Sequence, residues 1–181
     1  MNKMMTICNE IQKISKGVDE TQVLETAKKI LDAKRIFLAG QGRSGLMIKG
    51  FAMRLMHLGL QAYVVGESTT PSMGEGDLLL IGSGSGETGG LVTMANKAKS
   101  TGGQVCLVTT NQNSTIAKLS SAVIEIKAQG KGEEAKNITI QPMGSLFEQT
   151  LLVLLDSLVL YLMDLSGQDN QSMYKRHANL E

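Results

Sequence analysis

Five short apolar runs constrain this chain more than any other feature: Ile36 to Ala39, Ala62 to Val65, Leu78 to Ile81, Val105 to Val108, and Ala122 to Ile126. Each is continuous rather than alternating, as expected of strands buried on both faces. Helical patterns lie between them at 45–58, 88–100 and 114–119. Strands alternating with helices predict one doubly wound, parallel five-stranded sheet flanked by helices. Residues 6–32 show helical spacing broken around Gly17, and residues 146–165 predict a long closing helix. The polar stretch 127–143 before that helix reads as a surface loop. With no repeat, linker or low-complexity tract, the 181 residues are expected to form one domain, 1–181. A chain of this length buries roughly 70% of its unfolded surface.

Composition narrows the function classes. A net charge of +1 and 19% charged residues offer no basic stripe for nucleic acid, so an anion site must be local. Residues 146–165 could be mistaken for a membrane span, but Glu148, Asp156 and Asp164 interrupt an apolar run shorter than the ~20 residues a bilayer needs. No membrane partner is expected. Cys8 and Cys106 fit no metal spacing, and Cys106 lies inside an apolar run as a buried thiol does. The N-terminal stretch MNKMMTICNEIQK has no apolar core of a signal peptide, so a reducing cytoplasm is expected. Eleven Met and only 3% aromatics leave aliphatic and Met side chains to fill core and interfaces.

Ligands of such sheets bind beyond the carboxyl ends of the strands. Two loops with unusual chemistry fall there. The first, GQGRSG, spaces Gly40, Gly42 and Gly45 as G-x-G-x-x-G, and Glu67 follows about where a ribose-binding acid stands in a dinucleotide site. The glycines alone do not decide for a dinucleotide, because any tight turn close to a ligand needs them. The second loop, Ser83-Gly84-Ser85-Gly86-Glu87-Thr88, brings hydroxyls and backbone amides to a helix start, which suits a terminal phosphate. Ser44 adds a hydroxyl from the first loop, Arg43 a cation, and Gly42 and Gly84 close backbone approach. Any one of these serines could be only an N-cap. Ser44, Ser83, Ser85 and Thr88 together point to a phosphate cradle.

With these paired loops the chain resembles the sugar isomerase (SIS) domain family. G-R-S-G, F-A-M-R-L-M-H-L-G, V-G-E-x-T-T-P, Q-P-M-G-S-L-F-E-Q-T and H-A-N-L, in that order, resemble its 6-phospho-3-hexuloisomerase branch. The resemblance implies a flavodoxin-like three-layer fold and a phosphorylated ketohexose substrate. It implies interconversion of D-arabino-hex-3-ulose 6-phosphate and fructose 6-phosphate, as in formaldehyde fixation by the ribulose monophosphate pathway. A homotetramer without cofactor or metal is also implied. Glu148 matches the position of the catalytic glutamate in similar isomerases; as a first-turn acid it could instead only balance a helix dipole. His57 and His177, the chain's two histidines, are level candidates for a proton shuttle, acting in their own or a neighbouring subunit. Glu67 with Thr69 and Thr70 could hold sugar hydroxyls or shape a subunit contact, and Glu87 is expected to be non-catalytic. The alternatives are a non-catalytic phosphosugar-binding module, another aldose–ketose isomerase and, last, an NAD-dependent oxidoreductase.

Overall fold

All five expected strands form, and all are parallel. They are β1 Ile36–Gly40, β2 Ala62–Val64, β3 Leu78–Gly82, β4 Gln104–Thr109 and β5 Ala122–Glu125, in the order β2-β1-β3-β4-β5. The structure, a computed structural model, describes residues 2–128 and 138–180. Ile36 stands opposite both Ala62 and Leu78, and Leu78 opposite Gln104. The strand-to-strand alternation separates two cores. Leu38, Leu80, Val108 and Ile124 face α1 Lys3–Ser15, α2 Glu20–Asp32, α3 Gly42–His57 and α6 Ser145–Ser166. Phe37, Leu79, Ile81 and Leu107 face α4 Gly89–Ser100 and α5 Thr115–Leu119. Burial on both faces is why each run reads as continuously apolar.

The break expected near Gly17 separates α1 from α2, and Asp19 caps α2 by accepting from Thr21 N at 2.9 Å. The expected loop at 127–143 precedes α6, but its residues 129–137 lie outside the described residues. Helix α6 is long and apolar enough to cross a membrane, yet half of its most apolar window is buried inside the protein, against α1, α2 and α3. The tail adds an element that apolar periodicity does not predict: α7 Asn170–Tyr174, opened by a capping box between Asp169 and Ser172.

Strand order reverses between β1 and β3, which opens a crevice at their carboxyl ends. There the first loop packs tightly. A Cβ on Gly45 would lie 2.7 Å from the carbonyl oxygen of Gly40, so β1 and α3 approach this closely only with glycine at both positions. Gly42, at φ +58°, makes the turn between them.

Candidate active site

A cleft of about 850 Å³ occupies the crevice, lined by the turns after β1, β3 and β4 and by the start of α6. Three helices begin at it: α3, α4 and α6. None of their N-cap residues (Gln41, Thr88, Gly144) makes a side-chain capping bond. By contrast Asn2, Asp19, Ser114 and Asp169 do cap α1, α2, α5 and α7, the other four helices among the described residues. Unspent first-turn amides and the positive ends of three helix dipoles therefore converge on one space, which favours an anion.

The hydroxyl loop is built to donate into that space. Ser83 Oγ accepts from Gly86 N and Ser85 Oγ from Glu87 N, each at 3.2 Å. Both hydroxyls thus spend a lone pair on the loop and keep their proton for a ligand. Neither caps α4, and Thr88 occupies the N-cap position without a capping bond, so the N-cap alternative fails for this set. The loop is anchored from behind. The Gly84 carbonyl accepts from Thr109 Oγ1 at 3.0 Å and Thr110 Oγ1 at 2.7 Å. A Cβ on Gly86, which has φ +64°, would lie 2.1 Å from Ser114 Oγ. Glu87 Oε1 accepts from Thr115 N at 2.7 Å, satisfying an amide in the first turn of α5. Hydrogen bonds from Thr115 hold the Glu87 carboxyl below the ordinary carboxylate value. It clamps the loop to the start of α5 and also lines the cleft.

The opposite wall carries charge. Because α3 packs along α6, Arg43 in the first turn of one meets Glu148 in the first turn of the other. Arg43 Nη1 lies 3.1 Å from Glu148 Oε2 and donates to Ser145 Oγ at 3.0 Å. Ser145 Oγ in turn donates to the Pro142 carbonyl at 2.8 Å. The Glu148 side chain is 15% exposed and the Arg43 side chain 49%, so a carboxylate sheltered beside Phe147 is held by a cation that reaches solvent. Glu148, Arg43, Ser44, Ser83, Ser85 and Thr88, with Gly42 and Gly84, all line the one cleft. A profile of the SIS domain matches residues 29–156, from the end of α2 to the middle of α6.

The chain belongs to the SIS domain family. It is 48% identical over 97% of its length to a Bacillus subtilis protein named 3-hexulose-6-phosphate isomerase, covering 95% of that relative. A Mycobacterium gastri protein of the same name is 42% identical over 99% of this chain and 90% of its own. A solved Methanococcus jannaschii structure, from which a molecular function of 3-hexulose-6-phosphate isomerase was inferred, superposes with a TM-score of 0.85 at 34% identity, covering both chains completely.

Three candidate residues lie elsewhere in the chain. His57 and His177 do come together, their rings stacked with centroids 5.5 Å apart and planes 18° apart. They sit at the far end of α3, however, and a 16-residue helix is about 24 Å long. Neither lines the cleft of its own chain. Burial, then the neighbouring Arg54 and His177, push the His57 pKa below its ordinary 6.5. Instead of fraying, the tail is docked: Arg176 Nη1 donates to the His57 carbonyl at 3.1 Å and the Ser172 carbonyl at 3.0 Å. Glu67 is the third. It faces Lys49 at 3.9 Å beyond edge strand β2, outside the cleft lining, because β2 lies on the other side of β1 from β3. Thr70 Oγ1 donates to the Val64 carbonyl at 2.6 Å, a turn contact.

Sequence reasoning missed Ser145 and Met143. Ser145 stands just before the closing helix expected at 146–165, and its pairing with Arg43 spans 102 positions and has no local signature. Met143 lines the cleft with φ +52°, the sole positive value outside glycine among the described residues.

Proposed function

We propose that this SIS domain interconverts D-arabino-hex-3-ulose 6-phosphate and D-fructose 6-phosphate, moving the carbonyl between C3 and C2 through an enediolate. The observation that carries the reading is a sheltered carboxylate paired with a guanidinium, Glu148 and Arg43, across one cleft from a hydroxyl loop at uncapped helix starts. The phosphate sits on the amides and hydroxyls of Ser83, Ser85 and Thr88, with Ser44 beside it. Glu148 removes the C2 proton, and the electron pair forms the C2–C3 double bond while the former carbonyl oxygen at C3 gains a proton. In the second half O2 gives up its proton and becomes the carbonyl oxygen, and a proton returns to C3. Arg43 stabilises the negative oxygen as it develops.

Transfer between O2 and O3 falls to a histidine, His57 or His177, supplied by a neighbouring copy because the chain's own pair lies too far along α3. A homotetramer fits this need. Leu46 and Met53 on α3 and Leu152, Val153 and Leu160 on α6 are exposed large apolar residues that a second copy would cover. A phosphorylated substrate and free thiols at Cys8 and Cys106 fit the cytoplasm and a step of the ribulose monophosphate pathway.

The test is formation of fructose 6-phosphate from freshly prepared hex-3-ulose 6-phosphate, with arabinose 5-phosphate as the competing substrate. Turnover of the hexulose in preference to the pentose is expected. A folded protein that binds fructose 6-phosphate and turns over neither sugar is a sensor, and the reading fails.

A further inference from the structure

We propose that Glu10, on α1 and outside the cleft, is a positioning residue that holds the segment from Thr139 to Ser145, which joins the cleft lining at Met143 and Gly144, and thereby the geometry of Arg43 and Glu148. The role rests on the isomerase function proposed for this cleft. The carboxylate of Glu10 takes three donors from three successive residues: Thr139 Oγ1 at 2.7 Å, Ile140 N at 2.9 Å and Gln141 Nε2 at 3.0 Å. Thr139 Oγ1 also accepts from Gln141 N at 3.0 Å, so the clamp closes on itself. Only a carboxylate can do this, since its two oxygens accept and it has no donor to turn against the three it faces. Burial works to raise the Glu10 pKa, but the bonds from Thr139, Ile140 and Gln141 outweigh it and hold the group below the ordinary carboxylate value.

The residues just beyond the clamp show why it is needed. Pro142 fixes its own φ, and its carbonyl accepts from Ser145 N at 3.3 Å and Ser145 Oγ at 2.8 Å. Between these anchors Met143 is held at φ +52°, a conformation that non-glycine residues keep only where their surroundings over-determine it. Met143 is 74% exposed and gains no core packing that would offset the strain. It does line the cleft, and two residues on Ser145 reaches Arg43, which pairs with Glu148. The path from Glu10 to the reacting groups is therefore one run of backbone and a few named contacts. A wall misplaced by about 1 Å costs up to ~10²-fold in rate.

The test compares wild type with Glu10→Gln and Thr139→Val, measuring kcat and KM on hex-3-ulose 6-phosphate and amide hydrogen exchange at residues 138–148. Glu10→Gln is expected to lower kcat by about ten- to a hundredfold while KM moves far less, and to speed exchange at 138–148 alone. Thr139→Val, which removes one donor of three, is expected to shift both in the same direction but less. The double variant should be no worse than Glu10→Gln, because both cut the same clamp. Faster exchange with unchanged kcat overturns the positioning role, and so do two effects that simply add. Unchanged exchange overturns the clamp itself. If wild type turns over no sugar, the isomerase reading fails and kcat has nothing to position, a result distinct from the exchange result.

Discussion

Replacing Arg43 by Met separates a catalytic ion pair from a structural one. The substitution keeps an unbranched apolar stem and deletes the guanidinium, and with it the 3.1 Å pair to Glu148 and the 3.0 Å bond to Ser145. Because the Arg43 side chain is 49% exposed, solvent screening limits its contribution to stability to about 0.5–1 kcal/mol. For a chain of this size that is a fall in Tm of about 1–4 °C. The catalytic effect is larger: losing a preorganised donor aimed at developing negative charge costs about 10²–10³-fold in rate. Lysine restores a charge without the planar fork, so Arg43→Lys should fall between wild type and Arg43→Met. The assay is kcat/KM for hex-3-ulose 6-phosphate beside a thermal melt. A kcat/KM within about threefold of wild type, or a collapse in Tm, refutes the reasoning.

Three further outcomes are expected in other parts of the molecule. Gly45→Ala places a Cβ 2.7 Å from the Gly40 carbonyl oxygen, which cannot rotate away; a loss of about 1–3 kcal/mol in urea unfolding is expected, and an unmoved midpoint contradicts the close-packing account. Asp77 is buried and accepts from Arg35 Nε at 3.0 Å, Arg35 Nη2 at 2.6 Å and Gly74 N at 2.8 Å. The Arg35 guanidinium holds its carboxyl below 3.8, so the stabilisation is complete above that value and is lost as pH falls through the folded pKa. Asp77→Asn should cost about 2–3 kcal/mol at pH 7 and progressively less as pH falls below 3.8 through the folded pKa; a gap that does not narrow on acidification contradicts the assignment. Finally, inactive Glu148→Gln chains refolded together with inactive His57→Ala/His177→Ala chains should regain about a quarter of wild-type activity by random pairing across subunits. No recovery in a mixed oligomer places the histidine in its own chain.

The strands were legible because burial on both faces leaves an uninterrupted apolar run, as at Leu78 to Ile81, and such runs need no partner to be seen. Helix α7 was not, since NQSMY has no apolar period; its one local signal was Asp169 three residues before Ser172, the capping box. In the site, the hydroxyl loop was readable as chemistry, but whether Thr88 caps α4 depends on side-chain geometry that sequence does not carry. Glu67 matched a spacing rule for a dinucleotide acid, and a spacing rule cannot say that the residue stands beyond an edge strand beside Lys49. The displacement of His57 was in reach of sequence arithmetic, because the helical pattern 45–58 separates His57 from Arg43 in the loop before it by most of its length. Their pairing with other parts was not: Ser145 with Arg43, His57 with His177 and Glu10 with Thr139 are all contacts between distant segments.

If Glu148 is the base of a sugar-phosphate isomerase, turnover must depend on its carboxylate, and Glu148→Gln removes that carboxylate alone. The amide is nearly isosteric with the carboxylate, so folding and fructose 6-phosphate binding should survive while proton abstraction does not. Wild type is expected to convert hex-3-ulose 6-phosphate to fructose 6-phosphate, with kcat falling at least ~10²-fold in Glu148→Gln. A variant that keeps kcat within about tenfold of wild type rules out Glu148 as the base and moves that role to another residue.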